Sequence, residues 1–396
     1  MDAECCWIGL MSSSGGKPRM IMGVVLARCP RAFAGHTCST MNWAIGFRQL
    51  GWDVWLTEAI PTGELEPPEG PGLKSPQEEH WQQVIQEFGF ENQQCLIVDG
   101  KSDQLEAFRE FASEADLFIN YSGQYTRLDL MGPRTVKAYL DVDPAFTQLW
   151  VDVCQSDMNF AGHDVFLTVG TTLNQPSALV PGVGIEWLPV PPPVVGSFWR
   201  AKVGPIPVSA DQEWNTIAHW YGYHELEWQG RKYGGKRESM IEMRPLPKMV
   251  KQACALATDL APDWDDYASF ADEGWKFHSA AAVCNSVTTY LNFIASSRAE
   301  IGICKSGYVV SRGGWMSDRS VVYLALGKPV LLQDTAWPQA VPPGPGLLPF
   351  TGLKDCAARI AEIEADYAAH AAGARHFADD ILSAEAVLTP LLSRIL

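Results

Sequence analysis

The segment from Ser311 to Thr335 constrains the fold of this chain more than any other. Its sequence, SRGGWMSDRSVVYLALGKPVLLQDT, begins with a Gly-rich loop that is expected to end a strand. A helix is predicted to open at Ser317 or Asp318 and to close at Gly327, and a second strand follows from Pro329. The free N–H groups of such a helix start point at an anion, and a nucleotide pyrophosphate is the usual occupant. The segment therefore predicts an α/β sheet that binds a phosphate-bearing ligand.

The length and charge of the chain limit the architecture and the class of partner. Because 396 residues are too many for one hydrophobic core, we expect two domains of roughly 200 residues each. The net charge of -16 argues against a nucleic-acid partner, since phosphate backbones are bound by clustered Lys and Arg. It leaves a nucleotide ligand open, because a few local cations and backbone N–H groups suffice for one diphosphate.

The sequence predicts a cytoplasmic chain without a transmembrane segment. No apolar run approaches the roughly 20 residues that span a bilayer. The N-terminal stretch is a poor signal peptide, because acidic residues, Ser and Gly interrupt it before any long apolar core. The 10 Cys residues show neither a CxxC pair nor a Cys/His metal spacing, which fits a reducing compartment.

From Met20 to about Pro193 short apolar runs alternate with helical patterns. The strand candidates are residues 21–26, 53–58, 95–98, 116–120, 136–141 and 164–169, and the helical patterns are 40–50, 77–88, 104–113 and 146–153. This alternation predicts a mostly parallel sheet that is covered on both faces. Ligands of such sheets bind beyond the carboxyl ends of the strands, which directs attention to His36, to residues 120–123 and to Asp143.

A Pro-rich segment, WLPVPPPVVG at residues 187–196, marks a boundary before a second α/β region. Strands are predicted there at 214–219, 300–304, 308–311 and 329–333, helices at 281–296 and 354–372, and a β-hairpin at 225–233. We therefore divide the chain into a loose extension (1–19), a first Rossmann-like domain (20–195) and a second one (196–380). Residues 381–396 are expected to form a C-terminal helix, for which a return to the first domain is one option.

Several motifs resemble those of bacterial glycosyltransferases of the GT-B type. The resemblance is carried by YVVSRGGWMSDRSVVYLALGKPVLLQDT (308–335), GPGLLPF (344–350), AGHT (34–37), LGWDVWLTE (50–58), ADLFINYSG (115–123), YLDVDPAFTQ (139–148) and HDVFLTVGT (163–171). It implies an α/β fold of two Rossmann-like domains that face each other across a cleft. It also implies an N-terminal acceptor domain and a C-terminal domain for a nucleotide diphosphate-sugar. That donor would be a co-substrate, with no cofactor besides; the acceptor and any oligomeric state stay unidentified.

The resemblance has one informative gap. Many relatives that act on small molecules carry the motif HCGWNS followed shortly by a Glu. The carboxylate of this Glu binds the ribose hydroxyls. Here the matching residues are RGGWMS at 312–317, with no nearby Glu and a spacing to Gly327 that is about two residues longer. Phosphate binding by Gly314, Ser317 and the following N–H groups survives this change, whereas the ribose contact has no counterpart.

Three cations are candidates to neutralise a donor diphosphate: Lys305, Arg312 and Arg319. The other predicted donor-binding residues belong to the loop, the helix start and the end of the next strand: Gly313, Gly314, Trp315, Ser317, Asp318, Ser320, Asp334 and Thr335. Each has a structural alternative. The cations can form surface contacts or ion pairs, Ser317 and Asp318 can cap the helix, and Asp334 with Thr335 can form a turn.

His36 is the predicted catalytic base, because histidine titrates near neutrality and the resemblance places a base in the matching loop. Asp143 is expected to orient or replace it, and Asn120, Ser122 and Gly123 to line the acceptor side. The alternatives are helix capping for His36 and ordinary turns for the others. Asp141 and Asp143 form a DxD pair, but a lone DxD is weak support for a metal, so no metal site is predicted.

These observations favour a glycosyltransferase that acts on a small-molecule or envelope-precursor acceptor. Two alternatives stay open. One is a binding protein of the same architecture that senses a nucleotide or sugar without turnover, and the other is a sugar-nucleotide epimerase.

Overall fold

The structure, a computed structural model, describes residues 16–29, 33–68, 70 and 73–396. Two parallel sheets make up its framework. We call the part up to Val195 the N-terminal half and the part from Gly196 the C-terminal half. Most of the predicted extension (1–19) lies outside the described residues, and the first strand already begins at Arg19.

Seven parallel strands form the sheet of the N-terminal half, in the order β3-β2-β1-β4-β5-β6-β7. They are β1 (Arg19–Gly23), β2 (Asp53–Ile60), β3 (Gln94–Val98), β4 (Leu117–Tyr121), β5 (Val136–Asp141), β6 (Val165–Thr168) and β7 (Trp187–Pro189). The helices of this half are α1 (Ala34–Gln49), α2 (Pro76–Glu87), α3 (Leu105–Ser113) and α4 (Phe146–Asp152). All the strands were predicted within a few residues except β7, which is only three residues long.

The C-terminal half contributes the remaining strands. They are β8 (Trp214–Ala218), β9 (Leu226–Trp228), β10 (Arg231–Tyr233), β11 (Cys254–Thr258), β12 (Lys276–Ser279), β13 (Ala299–Gly302), β14 (Val330–Gln333) and β15 (Leu347–Phe350). Six of them form a parallel sheet in the order β12-β11-β8-β13-β14-β15. Strands β9 and β10 pair separately as the predicted antiparallel hairpin, with Gln229 and Gly230 both at positive φ in its turn.

Most helices of the C-terminal half pack around its sheet, whereas the last helix packs against the N-terminal half. They are α5 (Gly196–Val203), α6 (Lys236–Met243), α7 (Asp265–Glu273), α8 (Ala280–Val283), α9 (Val287–Ser296), α10 (Ser306–Ser311), α11 (Asp318–Ala325), α12 (Leu353–Ala365), α13 (Tyr367–His376) and α14 (Ala384–Ile395). No described helix combines the length and the apolar character that a membrane crossing requires.

The strand predicted at 308–311 is wrong, because these residues form the end of α10. Strands β13 and β14 pair directly with each other, so the sheet has no position for a strand between them. A short apolar run such as Tyr308 to Val310 fits a buried helix as well as a strand. The predicted helices 281–296 and 354–372 are each divided, the first by an N-cap at Ser286 and the second by one at Asp366.

The chain passes from one half to the other twice, near Val194 and near Leu382, and these two segments are hydrogen-bonded to each other. Val194 donates its N–H to Leu382, and Ala384 donates its own to Val194. Helix α14 then packs against α1, where a Cβ added at Gly46 would lie 2.8 Å from that of Ala384. The last helix therefore lies beside the N-terminal sheet.

Candidate active site

The order of the strands locates the site. In each sheet the strand order reverses at one crevice, between β1 and β4 in the first and between β8 and β13 in the second. Ligands of open α/β sheets bind beyond the carboxyl ends of the strands at such crevices. A cavity of ≈ 240 Å³ lies where residues from both places meet. Its lining includes His36, Ser39, Tyr121, Asp143, Tyr223, Lys305, Tyr308, Trp315, Met316 and Asp318.

His36 stands in the first turn of α1 and lines this cavity. Its Nε2 atom is buried and has no partner among the described residues. Burial lowers the pKa of the imidazole and outweighs the opposite effects of Asp318, the Val25 carbonyl and Asp143. The buried Nε2 has no partner in the described part of the chain that would keep it from accepting a proton. A neutral imidazole in this position can act as a general base.

Asp143 lies on the same cavity, at the end of β5, and bonds to residues of the C-terminal half. Lys305 Nζ lies 3.1 Å from its Oδ1 and the Tyr308 hydroxyl 2.5 Å from the same atom. The Tyr223 hydroxyl is close enough to lower the pKa of this carboxyl as well. Burial raises the pKa of this carboxyl, but Lys305 and the two phenols together hold the pKa below its ordinary value. No hydrogen bond joins Asp143 to His36 among those found, so the expected orienting contact is absent from the described structure.

Asp141 is bonded to hydroxyl and amide donors of its own half of the chain. Its carboxylate accepts hydrogen bonds from Thr147 at 2.7 Å, Thr168 at 2.9 Å and Gln148 at 3.3 Å. Burial raises its pKa to about 6. Within the described ranges no group of three or more His, Cys, Asp and Glu side chains is placed to hold a metal ion.

The Gly-rich loop is fastened to the opposite half of the chain. Gly314, at φ +75°, donates its N–H to the Thr335 carbonyl at 2.8 Å. Its carbonyl accepts from the N–H and the hydroxyl of Thr171, and the Gly313 carbonyl accepts from the N–H of Thr172. The Gly313 N–H itself donates to Ser311 Oγ. Both N–H groups are thus engaged within the protein in this structure, and donor binding by Gly313 and Gly314 stays a prediction.

The segment after the glycines reaches the cavity. Trp315 stacks on Tyr308 with 4.3 Å between the ring centroids, and both rings line the cavity. The buried Ser317 is the N-cap of α11, and its hydroxyl makes no capping bond. Asp318 begins the helix, lines the cavity and accepts the N–H of Arg319 at 2.9 Å. Ser320 is fully buried and does not line the cavity, and its hydroxyl makes no hydrogen bond among the described residues.

Arg319 is not a free cation in the cleft. Its Nε lies 2.6 Å from Glu300 Oε1, and its Nη1 donates to the Ile217 carbonyl at 2.9 Å. Glu300 is completely buried, and Arg319 does not line the cavity. Arg319 therefore forms a buried ion pair, which was its structural alternative, and its contact with a diphosphate stays a prediction.

Arg312, Asp334 and Thr335 are the remaining predicted donor-binding residues, and each contacts another residue of the loop region. Arg312 adopts φ 52° at the end of α10, and its Nη2 lies 3.6 Å from Asp334 Oδ2. Asp334 also accepts the N–H of Ala336, and the Thr335 hydroxyl donates to the Trp315 carbonyl at 2.6 Å. None of these three side chains lines the cavity. The predicted contacts of Asp334 and Thr335 with sugar hydroxyls are thus replaced by turn and loop contacts.

The residues assigned to the acceptor side form a tight turn away from the cavity. The Asn120 side chain bonds to both the N–H and the carbonyl of Tyr125 and lies 3.1 Å from His163. Ser122 and Gly123 follow at positive φ, and a Cβ at Gly123 would lie 2.4 Å from the Tyr139 ring. The backbone of this turn is bonded within the N-terminal half and packs against its core, and the role of these residues on the acceptor side stays a prediction.

Sequence reasoning missed two kinds of residue near the site. Tyr223 and Tyr308 lie beside Asp143. The buried Lys236 donates from Nζ to the Ile217 carbonyl at 3.2 Å, and Arg319 donates to the same carbonyl. Burial, and then the charge of Arg319, lower the pKa of Lys236 well below its ordinary value. The Gly-Gly-Lys sequence at the start of α6 was the available signal for Lys236; nothing local distinguishes Tyr223 from other aromatic residues.

Comparisons with known proteins support the architecture. An alpha-glucosyltransferase in complex with UDP and a 13-mer DNA has a TM-score of 0.56 at 9% identity, covering 96% of this chain and 99% of that chain. AviGT4, a glycosyltransferase involved in avilamycin A biosynthesis, has a TM-score of 0.53 at 10% identity over 96% and 97%. A glycosyltransferase from Rickettsia africae ESF-5 has 0.51 at 11% over 96% and 98%. No protein-family model and no curated protein matches the sequence. Likeness at such low identity establishes the fold: the chain has the two-domain fold of the GT-B glycosyltransferases.

Proposed function

We propose that the protein is a glycosyltransferase that moves a sugar from a nucleoside diphosphate-sugar to a hydroxyl group of an acceptor. The observation that carries this proposal is the cavity at the meeting point of the two sheets. There the free Nε2 of His36 faces the C-terminal half, which contributes Lys305 and the start of α11. A base on one side and a cation with a helix start on the other are what transfer from a diphosphate requires.

The reaction would run in one balanced step. The acceptor oxygen forms a bond to the anomeric carbon while the bond from that carbon to the phosphate oxygen breaks. The nucleoside diphosphate leaves with the electron pair, and His36 Nε2 takes the acceptor proton. A single displacement of this kind inverts the anomeric centre, so the configuration of the product reports whether it occurs. Two neighbours contain UDP or UDP-glucose, which makes uridine diphosphate-sugars the first donors to test.

We further infer that the Lys305 ammonium and the start of α11, and no metal ion, neutralise the leaving diphosphate. Lys305 lines the cavity, where its ammonium pairs with Asp143. Asp141, half of the DxD pair, is saturated with hydroxyl and amide donors. Full turnover in excess EDTA would support this inference, and loss of turnover that Mg²⁺ or Mn²⁺ restores would refute it.

The acceptor is proposed to be a small molecule or an envelope precursor in the cytoplasm. One structural neighbour is described in complex with DNA, so a nucleic-acid acceptor must be tested as well. The net charge of -16 opposes it, because each bound phosphate has to be neutralised by protein cations. Transfer to duplex DNA that exceeds transfer to hydroxylated small molecules would overturn this part of the proposal.

Mass spectrometry of products tests the proposal directly. The protein is incubated with uridine, thymidine and guanosine diphosphate-sugars and an acceptor panel. A glycosylated acceptor supports transfer, a new sugar isomer would indicate an epimerase, and bound but unchanged nucleotide would indicate a binding protein. If His36 is the base, His36→Gln should lower kcat roughly 100-fold or more with donor affinity little changed. His376→Gln, at an exposed surface position, is the matched control and should be fully active.

A further inference from the structure

Two hydrogen-bond donors of the C-terminal half and a further phenol converge on one carboxylate of the N-terminal half. Lys305 Nζ and the Tyr308 hydroxyl lie 3.1 and 2.5 Å from Asp143 Oδ1, and 3.2 Å separates them from each other. The Tyr223 hydroxyl lies close enough to lower the pKa of the same carboxyl. The partners are up to 165 residues apart in sequence, so the contact exists only because the two halves are closed on each other.

The same three groups have the chemistry of an anion site. Lys305 Nζ lies over the Tyr223 ring, 3.4 Å from its centroid, and 5.0 Å from the centroid of Tyr308. The aromatic rings hold the ammonium in place and exclude water from it. An ammonium has only donors, and a phenol can donate its one O–H, so the group offers a charge and three directed hydrogen bonds to any anion. A phosphate oxygen accepts the same hydrogen bonds as a carboxylate oxygen does.

The cavity beside this contact is too small for a complete donor. Its volume is ≈ 240 Å³, below the roughly 300 to 1,000 Å³ of sites that hold drug-sized ligands. A nucleoside diphosphate-sugar therefore requires the cleft to widen. Widening carries Asp143 away from Lys305, because the two residues belong to different halves of the chain.

We propose that Asp143 is an internal anion that occupies a phosphate-binding site formed by Lys305, Tyr308 and Tyr223. It closes the empty cleft, and the diphosphate of the donor displaces it. The inference rests on the proposed function for the identity of the physiological ligand, but the anion site itself can be tested with inorganic pyrophosphate. Asp143 then keeps the cleft shut against water until a ligand with more negative charge competes for the same donors.

Removal of the competing carboxylate should strengthen anion binding. We expect Asp143→Asn to bind pyrophosphate roughly 10- to 100-fold more tightly than the wild type in isothermal titration calorimetry, since charge-assisted bonds no longer have to be broken first. Asp143→Ala is the second neutral variant, in case the first does not fold. Lys305→Met should abolish the gain when it is combined with either.

Thr172→Val is the matched control, because it removes a neutral contact across the same cleft, the bond from its hydroxyl to the Arg312 carbonyl at 2.9 Å. It should change pyrophosphate affinity less than threefold. Equal gains in Thr172→Val and Asp143→Asn would overturn the inference, because loosening of the cleft alone would then explain them. Unchanged or weaker binding in the Asp143 variants would overturn it as well.

The two proposals can fail separately. A gain in pyrophosphate affinity without any sugar transfer would uphold the anion site and refute the glycosyltransferase. Sugar transfer by a wild type whose Asp143 variants show no gain would refute the internal anion alone.

Discussion

Substitution of Gly314 by Ala should destabilise the closed arrangement of the two halves. A Cβ at this position would lie 2.5 Å from Thr171 Oγ1 and 2.6 Å from both the N and Oγ1 atoms of Thr172. All three atoms belong to the loop after β6, in the opposite half of the chain. Two of them are hydroxyl oxygens that bond the Gly-rich loop, and the third is backbone, so no flexible side chain can simply turn aside.

The cost has two parts. Gly314 has φ +75°, and a residue with a side chain pays about 1–2 kcal/mol for this left-handed conformation. Overlap of a new methyl group with a packed surface adds about 1–3 kcal/mol. We therefore expect the free energy of unfolding of the closed protein to fall by about 2–5 kcal/mol. Opening the cleft relieves the overlap but breaks the hydrogen bonds of Thr171 and Thr172 to the loop.

Urea unfolding followed by Trp fluorescence measures this change, and small-angle scattering shows whether the cleft opens. Gly313→Ala is the matched control. Its Cβ would lie 3.2 Å from the end of the Leu173 side chain and 3.5 Å from Ser311 Oγ, and its φ is not positive. It should cost less than about 1 kcal/mol. A Gly314→Ala variant within 0.5 kcal/mol (on the order of measurement error) of the wild type would refute the reasoning, and so would equal losses in the two variants.

Three further predictions concern buried polar groups. Glu300→Gln should lower the free energy of unfolding by about 3–5 kcal/mol, because the Arg319 guanidinium is left buried without its partner carboxylate; a urea-unfolding loss below 1 kcal/mol would contradict this. Asn42→Leu should cost about 1–3 kcal/mol for each buried donor that loses its acceptor, Trp199 Nε1 among them, whereas Asn42→Asp keeps the acceptor and should cost less. The pKa of Asp141 is raised to about 6, so its contribution to stability is full below about pH 4 and is lost as the pH rises through 6. Relative to Asp141→Asn, the wild type should lose about 3 kcal/mol between pH 4 and pH 8, and a pH-independent difference would argue against a raised pKa.

Local sequence patterns were sufficient for the framework of the fold. Alternating apolar runs and helical periods located six of the seven strands of the first sheet within a few residues. The start of α11 at Asp318 and the turn at Gln229 also followed from residue type alone. In a parallel sheet all carboxyl ends lie on one edge, so a residue just after a strand is directed to the ligand side. Lys305 follows β13 in this way and lines the cavity, as do His36 in the first turn of α1 and Asp318 at the start of α11.

Short elements and their contacts needed the folded chain. The apolar pattern of residues 308–311 is compatible with either a strand or a helix. These residues form a helix, because β13 pairs directly with β14 and leaves no position between them for another strand. Strands β11, β12 and β15, of four or five residues each, were not predicted from the sequence.

The sequence by itself determined the two-sheet framework and the side of each sheet that faces a ligand, because both follow from local periodicity and strand direction. Only the tertiary structure decided which polar groups are free. Arg319 meets Glu300, 19 residues away, and Thr171 meets Gly314, 143 residues away. The local sequence around a cation or an N–H group at a helix start does not show whether a ligand or a distant side chain binds it. Its partner depends on packing between segments that local patterns do not connect.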